Sequence, residues 1–320
     1  MKTYQAVLLS TGLVLAMGGA AAYGVYRLAG MSKGAHEREV EFLAAERERS
    51  AGAVDEILAP ARARLAATER DLLRIELAPM ATDELKASKL GGRAYWAAGR
   101  DWPRDPDGHP LQLLAQIDLA QARLPGYPQQ GLLQFFISGR GDYYGANFDD
   151  PQRDGMNALA QPRSFRVVHW PDASAPAVAP PDGASQAGQL PFEPGSPRRM
   201  RFSAARESIG ANDARLPQVL GRPLDELAAA YAARHPGQRA EALSDAAYEA
   251  LARGGHKLGG HPDFTQSDPR EAEDRHVLLL QLDSDDTLMW GDSGIANFFI
   301  DPDDLERGEF DRVAYHWDCY

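Results

Sequence analysis

Two apolar segments, each preceded by a KLGG tetrapeptide, carry a glutamine and an aspartate in equivalent places. Together with the lysine of each tetrapeptide, these residues form two groups: Lys89, Gln116 and Asp118, and Lys257, Gln281 and Asp283. Buried polar groups need hydrogen-bond partners. These side chains therefore either bond within the fold or line a pseudo-symmetric cleft between two halves, where ligand pockets tend to form. We treat all six as candidate ligand-binding residues and keep structural hydrogen bonding as the alternative.

The densest acidic cluster lies beside the end of the second apolar segment. It consists of Asp283, Asp285, Asp286 and Asp292. Hard cations such as Ca²⁺ take several oxygen ligands, so Asp283, Asp285 and Asp292 are weak candidates for a metal site. An EF-hand is excluded, because Leu288 stands where its loop requires glycine. Solvated carboxylates and turn-capping aspartates remain the alternative.

The tetrapeptide GDSG at 291–294 has the sequence that surrounds the nucleophile of chymotrypsin-like serine proteases. That chemistry needs a histidine, an aspartate and backbone donors for an oxyanion. Ile295 follows where those proteases place another glycine, and no segment resembling Ala-Ala-His-Cys precedes it. The pattern favours a tight turn. The sequence predicts no catalytic residue and no cofactor.

Three motifs occur twice in the same order. KLGG at 89–92, LLAQID at 113–118 and LQFFIS at 133–138 are matched by KLGG at 257–260, LLLQLD at 278–283 and ANFFID at 296–301. Ordered repetition indicates a tandem duplication, and the short apolar runs are typical of strands. We predict repeat halves at about 83–171 and 198–320, joined by a Pro-rich linker at 172–197.

Longer motifs resemble the YwqG-like family from about residue 77 to the end of the chain. They include SKLGG (88–92), DWPRDPDGHP (101–110), YGANFDDP (144–151), HKLGGHPDFTQSDPR (256–270) and WGDSGIANFFIDPDDL (290–305). The resemblance implies a two-repeat α+β fold with mostly antiparallel sheet, found in bacterial proteins of unknown biochemical function. We therefore expect an internally duplicated α+β domain over 79–320, with two pseudo-repeated halves.

Residues 6–26 contain no charged side chain. At ~1.5 Å per residue this stretch is long enough for a hydrocarbon core of ~30 Å, which predicts a transmembrane anchor over 1–27. A signal peptide cleaved near Ala20, Ala21 and Ala22 is the alternative. Basic residues after the stretch place the domain on the cytoplasmic side of a bacterial inner membrane, in a single-pass protein.

Residues 28–78 are rich in Ala, Glu, Arg and Leu and predict a charged amphipathic helix. Its apolar stripe consists of Val54, Leu58, Ala61, Leu65, Thr68, Leu72 and Ile75. Such a stripe packs on its own domain or pairs two chains as a homodimer. Pro60 is expected to kink or restart the helix.

The net charge of −12 disfavours nucleic acid as a partner, because phosphate backbones bind concentrated basic surfaces. The single cysteine, Cys319, excludes an intrachain disulfide. We expect a membrane-tethered binding or interaction module, with a protein partner favoured over a small molecule. The alternative is a hydrolase or metal-dependent enzyme with a site between the halves.

Overall fold

The computed structural model describes residues 50–141, 143–148, 155–184 and 188–320. They form two compact units. The smaller unit contains the described residues up to Pro60 together with Asp225–Ala250, and the larger contains Ala61–Leu224 and Leu251–Tyr320. The predicted anchor at 1–27 and the first part of the predicted helix lie outside the described residues.

The smaller unit is helical. Residues 50–58 form a helix, which is followed by a 3₁₀ turn at Ala59–Ala61 that contains Pro60. Two further helices lie mainly in this unit, and their first turns carry acidic residues that suit the positive end of a helix. The apolar core of the unit is formed by Ala53, Ile57, Ala228, Tyr231 and Leu243.

The larger unit contains all ten strands of the described residues. They are β1 Arg70–Pro79, β2 Lys89–Leu90, β3 Gln112–Asp118, β4 Leu132–Ile137, β5 Phe165–Trp170, β6 Arg198–Glu207, β7 Lys257–Gly259, β8 Val277–Asp283, β9 Ile295–Ile300 and β10 Ala314–Asp318. Besides the helix at 50–58, the α-helices of the two units are α1 Arg62–Ala67, α2 Met156–Leu159, α3 Leu216–Leu220, α4 Leu224–Ala232, α5 Ala240–Ala250 and α6 Pro302–Arg307. Strands therefore dominate this unit.

The strands form one antiparallel sheet in the order β10-β9-β8-β7-β1-β6-β2-β3-β4-β5. Strands β1 and β6 pair along ten residues at its centre. We call β2–β5 the first arm and β7–β10 the second arm. The arms share their register: Lys89 pairs with Gln116 as Lys257 pairs with Gln281, and a bulge interrupts β3 and β8 at the same point.

The sheet curls until its ends meet. Strands β4 and β9 are seven positions apart, which is about 34 Å in a flat sheet. Nevertheless the rings of Phe135 and Phe298 have centroids 4.9 Å apart, and those of Phe165 and Tyr315 are 5.4 Å apart. The result is a nearly closed, barrel-like sheet with the main apolar core inside it.

The predicted fold class, with an anchor helix, a long amphipathic helix and sheets divided between two α+β halves, was wrong. One continuous sheet spans both predicted halves, because the β1–β6 ladder joins the arms. Helices are few and short beside it. The predicted linker also contributes to the core, since Phe192 is buried there and pairs with Leu288.

The predicted extent of the charged helix, 28–78, was also wrong at its C-terminal end. The chain is helical only to Ala67 and then enters strand β1 at Arg70. Strand β1 hydrogen-bonds to β6 on one side and β7 on the other, and Leu73 and Ile75 enter the core. Sheet pairing on both edges outweighs a helix propensity of at most ~0.7 kcal/mol per residue.

Among the described residues, none of the helices has the length and apolar character needed to cross a bilayer. This finding contradicts the predicted single-pass inner-membrane protein. The segment on which it rested, 6–26, lies outside the described residues.

Candidate functional site

The first KLGG turn holds a carboxylate of the chain itself. Lys89 is fully buried, and its ammonium group donates to the Asp83 carboxylate and, at 2.9 Å, to the Glu84 carbonyl. The amide of Arg93 donates to Asp83 Oδ2 at 2.7 Å. Gly92 has a φ of 75°, and a Cβ there would lie 2.9 Å from the same oxygen. Glycine is therefore required for the carboxylate to approach the turn.

The second KLGG turn repeats this arrangement with a different acid. Lys257 Nζ donates to Glu207 Oε1 at 2.7 Å and to the Arg253 carbonyl at 2.6 Å, and the His261 amide donates to Glu207 Oε1 at 2.9 Å. Gly260 has a φ of 74°, and its Cβ would lie 2.4 Å from Glu207 Oε1. The repeated motif is thus a turn that binds an internal carboxylate through a lysine and a backbone amide.

Burial lowers the pKa of both lysines below the ordinary value, and the carboxylate beside each lysine opposes that effect. Asp83 is 20% exposed, whereas Glu207 is only 6% exposed. The second pair is therefore the more deeply buried ion pair. Such a pair costs much more to break than an exposed one.

Gln116 and Gln281 fasten the loop before each KLGG lysine to the sheet. Gln116 Nε2 donates to the carbonyls of Leu85 and Ala87 at 2.9 and 3.0 Å. Gln281 Nε2 donates to two carbonyls of its own loop, including that of Arg253 at 2.9 Å. Both glutamines are fully buried.

The aspartates at the strand ends also accept local hydrogen bonds. Asp118 accepts from the Ala120 amide at 3.0 Å. Asp283 accepts from the amides of Gly255 and Ser284 at 2.6 and 2.8 Å. Burial raises the pKa of Asp283, and these two bonds oppose the rise.

The six predicted site residues therefore lie in two groups of three, one group in each arm. Within a group the lysine and the glutamine are cross-strand neighbours. Strands β1 and β6 separate the two groups, and each group bonds mainly to its own loop. Their role as ligand-binding residues stays a prediction.

The weak metal candidates have local partners or lie in the open. Asp285 accepts from His256 at 3.1 Å and from the Thr287 amide at 2.7 Å; burial opposes a fall in its pKa, but these bonds hold the pKa well below its usual range. Asp292 is exposed. Neither residue shares a compact ligand cluster with Asp283 among the described residues.

A tighter cluster among the described residues is formed by Asp105, Asp107 and His109, whose ligand atoms lie within 4.8 Å of one another. Asp105 Oδ1 accepts from the amides of Asp107 and His109 at 3.1 and 2.8 Å. Turn capping accounts for this arrangement. The cluster carries no metal assignment here.

An open polar cleft of about 330 Å³ lies where β1 begins and β6 ends. We call it the arginine cleft, and its wall includes Glu69, Arg74, Arg206, Glu207, Ser208 and Arg253. Glu207 lines this cleft and also forms the ion pair with Lys257, so the buried ion pair borders the cleft. Asp283, Asp285 and Asp292 do not line it.

Two guanidinium groups of this cleft have no carboxylate partner among the described residues. Arg206 pairs with Glu69 at 3.3 Å, and Glu207 pairs with Lys257. Arg74 is exposed and makes no ion pair within the described ranges. The Arg253 guanidinium donates to neutral oxygens, including the Ser208 carbonyl at 2.7 Å, whereas the Arg253 amide donates to Asp263 at 2.6 Å. The charges of the Glu207 and Asp263 carboxylates favour the charged guanidinium without a direct ion pair. The cleft is thus locally basic in a chain of net charge −12.

The corresponding position in the first arm is neutralised. Arg199 is the cross-strand neighbour of Lys89, as Arg74 is of Lys257. Arg199 donates to the Glu84 carboxylate, and the backbone carbonyl of the same Glu84 accepts the hydrogen bond from Lys89. In the second arm the residue that gives its carbonyl to the lysine is itself an arginine, Arg253. Charge therefore distinguishes two otherwise similar turns.

The sequence matches the family described as Domain of unknown function (DUF1963) over residues 88–319. The chain belongs to this family. The match contains both KLGG turns and strands β2 to β10, and it begins after β1 and just before the first turn. Among curated proteins, no match to the chain was found.

Sequence reasoning missed the arginine cleft of this DUF1963 protein. Arg74, Arg206 and Arg253 are far apart in the chain and come together only through the β1–β6 and β1–β7 pairings. One signal was present: a lysine next to an apolar strand needs a buried acid. That rule asks for a partner of Lys257, but it does not single out Glu207, fifty positions earlier.

Proposed function

We propose that this DUF1963 protein is a non-catalytic binding module that recognises an acidic segment of a protein partner through the arginine cleft. The observation that carries the proposal is the presence in one cleft of two guanidinium groups, those of Arg74 and Arg253, that form no ion pair among the described residues. Guanidinium groups bind carboxylates with directed hydrogen bonds. A carboxylate in the cleft would therefore complete the local charge balance.

The size of the cleft favours a partner side chain over a free small molecule. Small-molecule pockets usually occupy ~300–1,000 Å³ and are mostly apolar. The arginine cleft, at about 330 Å³, is at the lower end of that range, and its wall is mainly charged. It suits a carboxylate presented by a longer polypeptide. The family resemblance to YwqG-like proteins supplies no ligand, so the proposal rests on this geometry.

A hydrolase or metal-dependent enzyme remains the second hypothesis from the sequence. Its candidate aspartates, Asp283, Asp285 and Asp292, lie outside the cleft wall. The described wall also contains no histidine. These observations favour the binding module.

The direct test is a titration of the full chain with a fluorescein-labelled peptide rich in glutamate and serine, followed by fluorescence anisotropy. We expect saturable binding that weakens with added salt, because the contacts are between exposed charges. Replacing each glutamate by glutamine in the peptide should abolish it. The variant R74Q should weaken it about tenfold, corresponding to ~1.4 kcal/mol for one charged hydrogen-bonded contact.

The matched control is R222Q, which removes an exposed arginine outside the cleft. It should bind as the unchanged chain does. Equal losses in R74Q and R222Q would mean that binding follows overall charge, and the proposal would fail. Single-stranded DNA and RNA of equal length serve as competitors, and preferential binding of either would also contradict it.

A further inference from the structure

A group of metal-ligand side chains lies on β9, β10 and the loop that follows the second KLGG turn. We call it the β9–β10 cluster, and its members are Thr265, Asn297, His316 and Asp318. Asn297 and His316 are cross-strand neighbours, so their Cβ atoms lie ~4.5–5.5 Å apart on one face. His316 and Asp318 are two residues apart on β10 and share that face. The Thr265 amide donates to Asp318 Oδ1 at 3.2 Å, which brings the loop onto the same face.

Three members of the cluster have a buried polar atom without a hydrogen-bond partner among the described residues. These atoms are Thr265 Oγ1, Asn297 Oδ1 and His316 Nδ1. Asn297 is fully buried, and its Nδ2 donates to the Asp263 carbonyl at 2.8 Å. That bond fixes the orientation of the amide, because the opposite one would place two oxygens together. Buried polar atoms need partners, so three neighbouring side chains share one unmet requirement.

The fourth member, Asp318, contributes a negative charge. It is buried and forms no ion pair within the described ranges. Its carboxylate accepts only amide bonds there, from Thr265 and from Gln266 at 2.8 Å. A buried charge is usually paired with an opposite charge or coordinates a metal. Burial lowers the pKa of His316, although the carboxylates of Asp318 and Asp268 oppose the fall, which favours the neutral imidazole that binds metals.

The first arm has different residues at the corresponding positions. Strand register and distance from the KLGG motif give the equivalent pairs, which are Ala97 for Thr265, Gln134 for Asn297, Val168 for His316 and Trp170 for Asp318. In the first arm, Trp170 Nε1 donates to Gln134 Oε1 at 2.8 Å and satisfies the amide oxygen. Three positions that offer no metal ligand in the first arm therefore carry threonine, histidine and aspartate in the second.

We propose that the β9–β10 cluster binds one divalent first-row metal ion, such as Zn²⁺, through His316 Nδ1 and through oxygens of Thr265, Asn297 and Asp318. Ca²⁺ and Mg²⁺ take oxygen ligands, whereas imidazole suits Zn²⁺ and its neighbours in the first row. Thr265 and His316 are half-buried, so the ion has a route from the surface. None of the four residues lines the arginine cleft, and this inference does not depend on the proposed function.

The test is a calorimetric titration of the full chain with ZnCl₂, and in a second experiment with CaCl₂. The chain carries no histidine tag and is first freed of metal with EDTA. We expect one Zn²⁺ per chain and at least tenfold weaker binding of Ca²⁺, about the effect of replacing a fitting ion by one that prefers oxygen. The melting temperature is a second readout, and Zn²⁺ should raise it because the ion binds the folded state.

The variant H316V installs the first-arm residue and removes the nitrogen ligand. It should weaken Zn²⁺ binding by at least about tenfold, since the loss of even a group that only supports a ligand costs ~10–100-fold. Zn²⁺ should no longer raise its melting temperature. The matched control is D107N, in the separate cluster of Asp105, Asp107 and His109, which should bind as the unchanged chain does. Circular dichroism checks the fold, and H316L is the second variant if H316V is misfolded.

Three results would overturn this inference. Binding that is lost in D107N and kept in H316V would place the ion in the other cluster. Equal affinity for Zn²⁺ and Ca²⁺ would contradict a nitrogen ligand. If Zn²⁺ does not bind the unchanged chain, a bridging water is the remaining partner for the three buried atoms, since such waters typically make ~3 hydrogen bonds to buried polar groups.

Discussion

The first and second arms build the same lysine–carboxylate turn but cover it with different chemistry. In the first arm, tryptophans pack above the sheet, with Trp96 4.9 Å from Trp102 and 5.2 Å from Trp170 between ring centroids. In the second arm, the cover contains the buried Asp213, bonded to Arg270 at 3.0 Å. The residues packed on the first arm are largely aromatic, whereas those packed on the second arm combine the stacked rings of Phe264 and Phe299 with buried charge.

The difference separates scaffold from function. The KLGG turns, their internal acids and the two glutamines recur in both arms, which is the pattern expected of groups that hold loops onto a sheet. The cleft that brings together two arginines without an ion pair, Arg74 and Arg253, lies beside the second turn. Beside the first turn, Arg198 is the cross-strand neighbour of Leu90 and also forms no ion pair among the described residues. A ligand that recognised the turn would have two sites, whereas one that recognised the arginines has one.

The largest expected effect compares the two buried lysines. K257A leaves Glu207 buried without its cation and should lower the free energy of unfolding by about 3–5 kcal/mol. K89A should cost only about 1–3 kcal/mol, because Asp83 is more exposed and keeps the Arg93 amide. Urea denaturation of both variants measures this difference.

The control for these variants is K86A, which removes an exposed lysine next to the first turn. It should cost only about 0.5–1 kcal/mol, because Lys86 has one cation–π contact, 5.2 Å from the centroid of the Tyr95 ring. If K89A proves as costly as K257A, burial of the carboxylate does not set the energy of the turn. The distinction drawn between the two acids would then be wrong.

The next effect concerns the charged cover of the second arm. Burial disfavours the Asp213 carboxylate, but hydrogen bonds from Arg215 and the charge of Arg270 hold its pKa well below its usual range. Its stabilisation is therefore complete above the unfolded pKa of about 3.9 and is lost as pH falls through the lower folded value. We expect D213N to cost about 3 kcal/mol at neutral pH.

The pH profile is the decisive measurement for this variant. The stability gap between the unchanged chain and D213N should be constant above about pH 5 and should narrow below about pH 4. W102A, in the aromatic cover, should cost several kcal/mol with no such narrowing, because it removes apolar packing and no charge. A gap for D213N that widened on acidification would contradict the depressed pKa.

The smallest expected effect is a gain of affinity. Glu69 pairs with Arg206 at 3.3 Å and lines the arginine cleft, so it competes with an incoming carboxylate. E69Q should strengthen binding of the glutamate peptide about two- to fivefold, in line with an exposed ion pair of ~0.2–1 kcal/mol. Anisotropy titration measures the gain, and E76Q, at an acid of β1 outside the cleft wall, is the comparison. Equal gains in both variants would indicate a general charge effect.

Local sequence patterns were enough to find the strands of the arms. The runs LLAQID, LQFFIS, LLLQLD and ANFFID form most of β3, β4, β8 and β9, in that order, and only Ser138 and Asp301 lie just beyond the strand ends. Each run is short, apolar and bounded by turn residues, which is the local pattern of a strand. All four glycines that follow Lys-Leu have positive φ, a backbone region that glycine adopts at no steric cost. These features depend on neighbours in the sequence.

Features that depend on distant pairing were missed. Strand β1 has the composition of a helix, and only its pairing with both β6 and β7 makes it a strand. The same pairings bring Arg74 beside Lys257 and the loop of Arg253, from positions about 180 residues away. A single sequence contains no local signal for that meeting, so neither the continuous sheet nor the arginine cleft was predicted.

The most direct test of this account compares R74Q with R199Q. The two arginines hold equivalent places beside Lys257 and Lys89, but Arg199 is bonded to Glu84 and Arg74 has no carboxylate partner among the described residues. In calorimetric titrations with the peptide rich in glutamate and serine, R74Q should weaken binding about tenfold and R199Q should leave it unchanged. Equal losses in both variants, or a loss confined to R199Q, would contradict the assignment of function to the second arm.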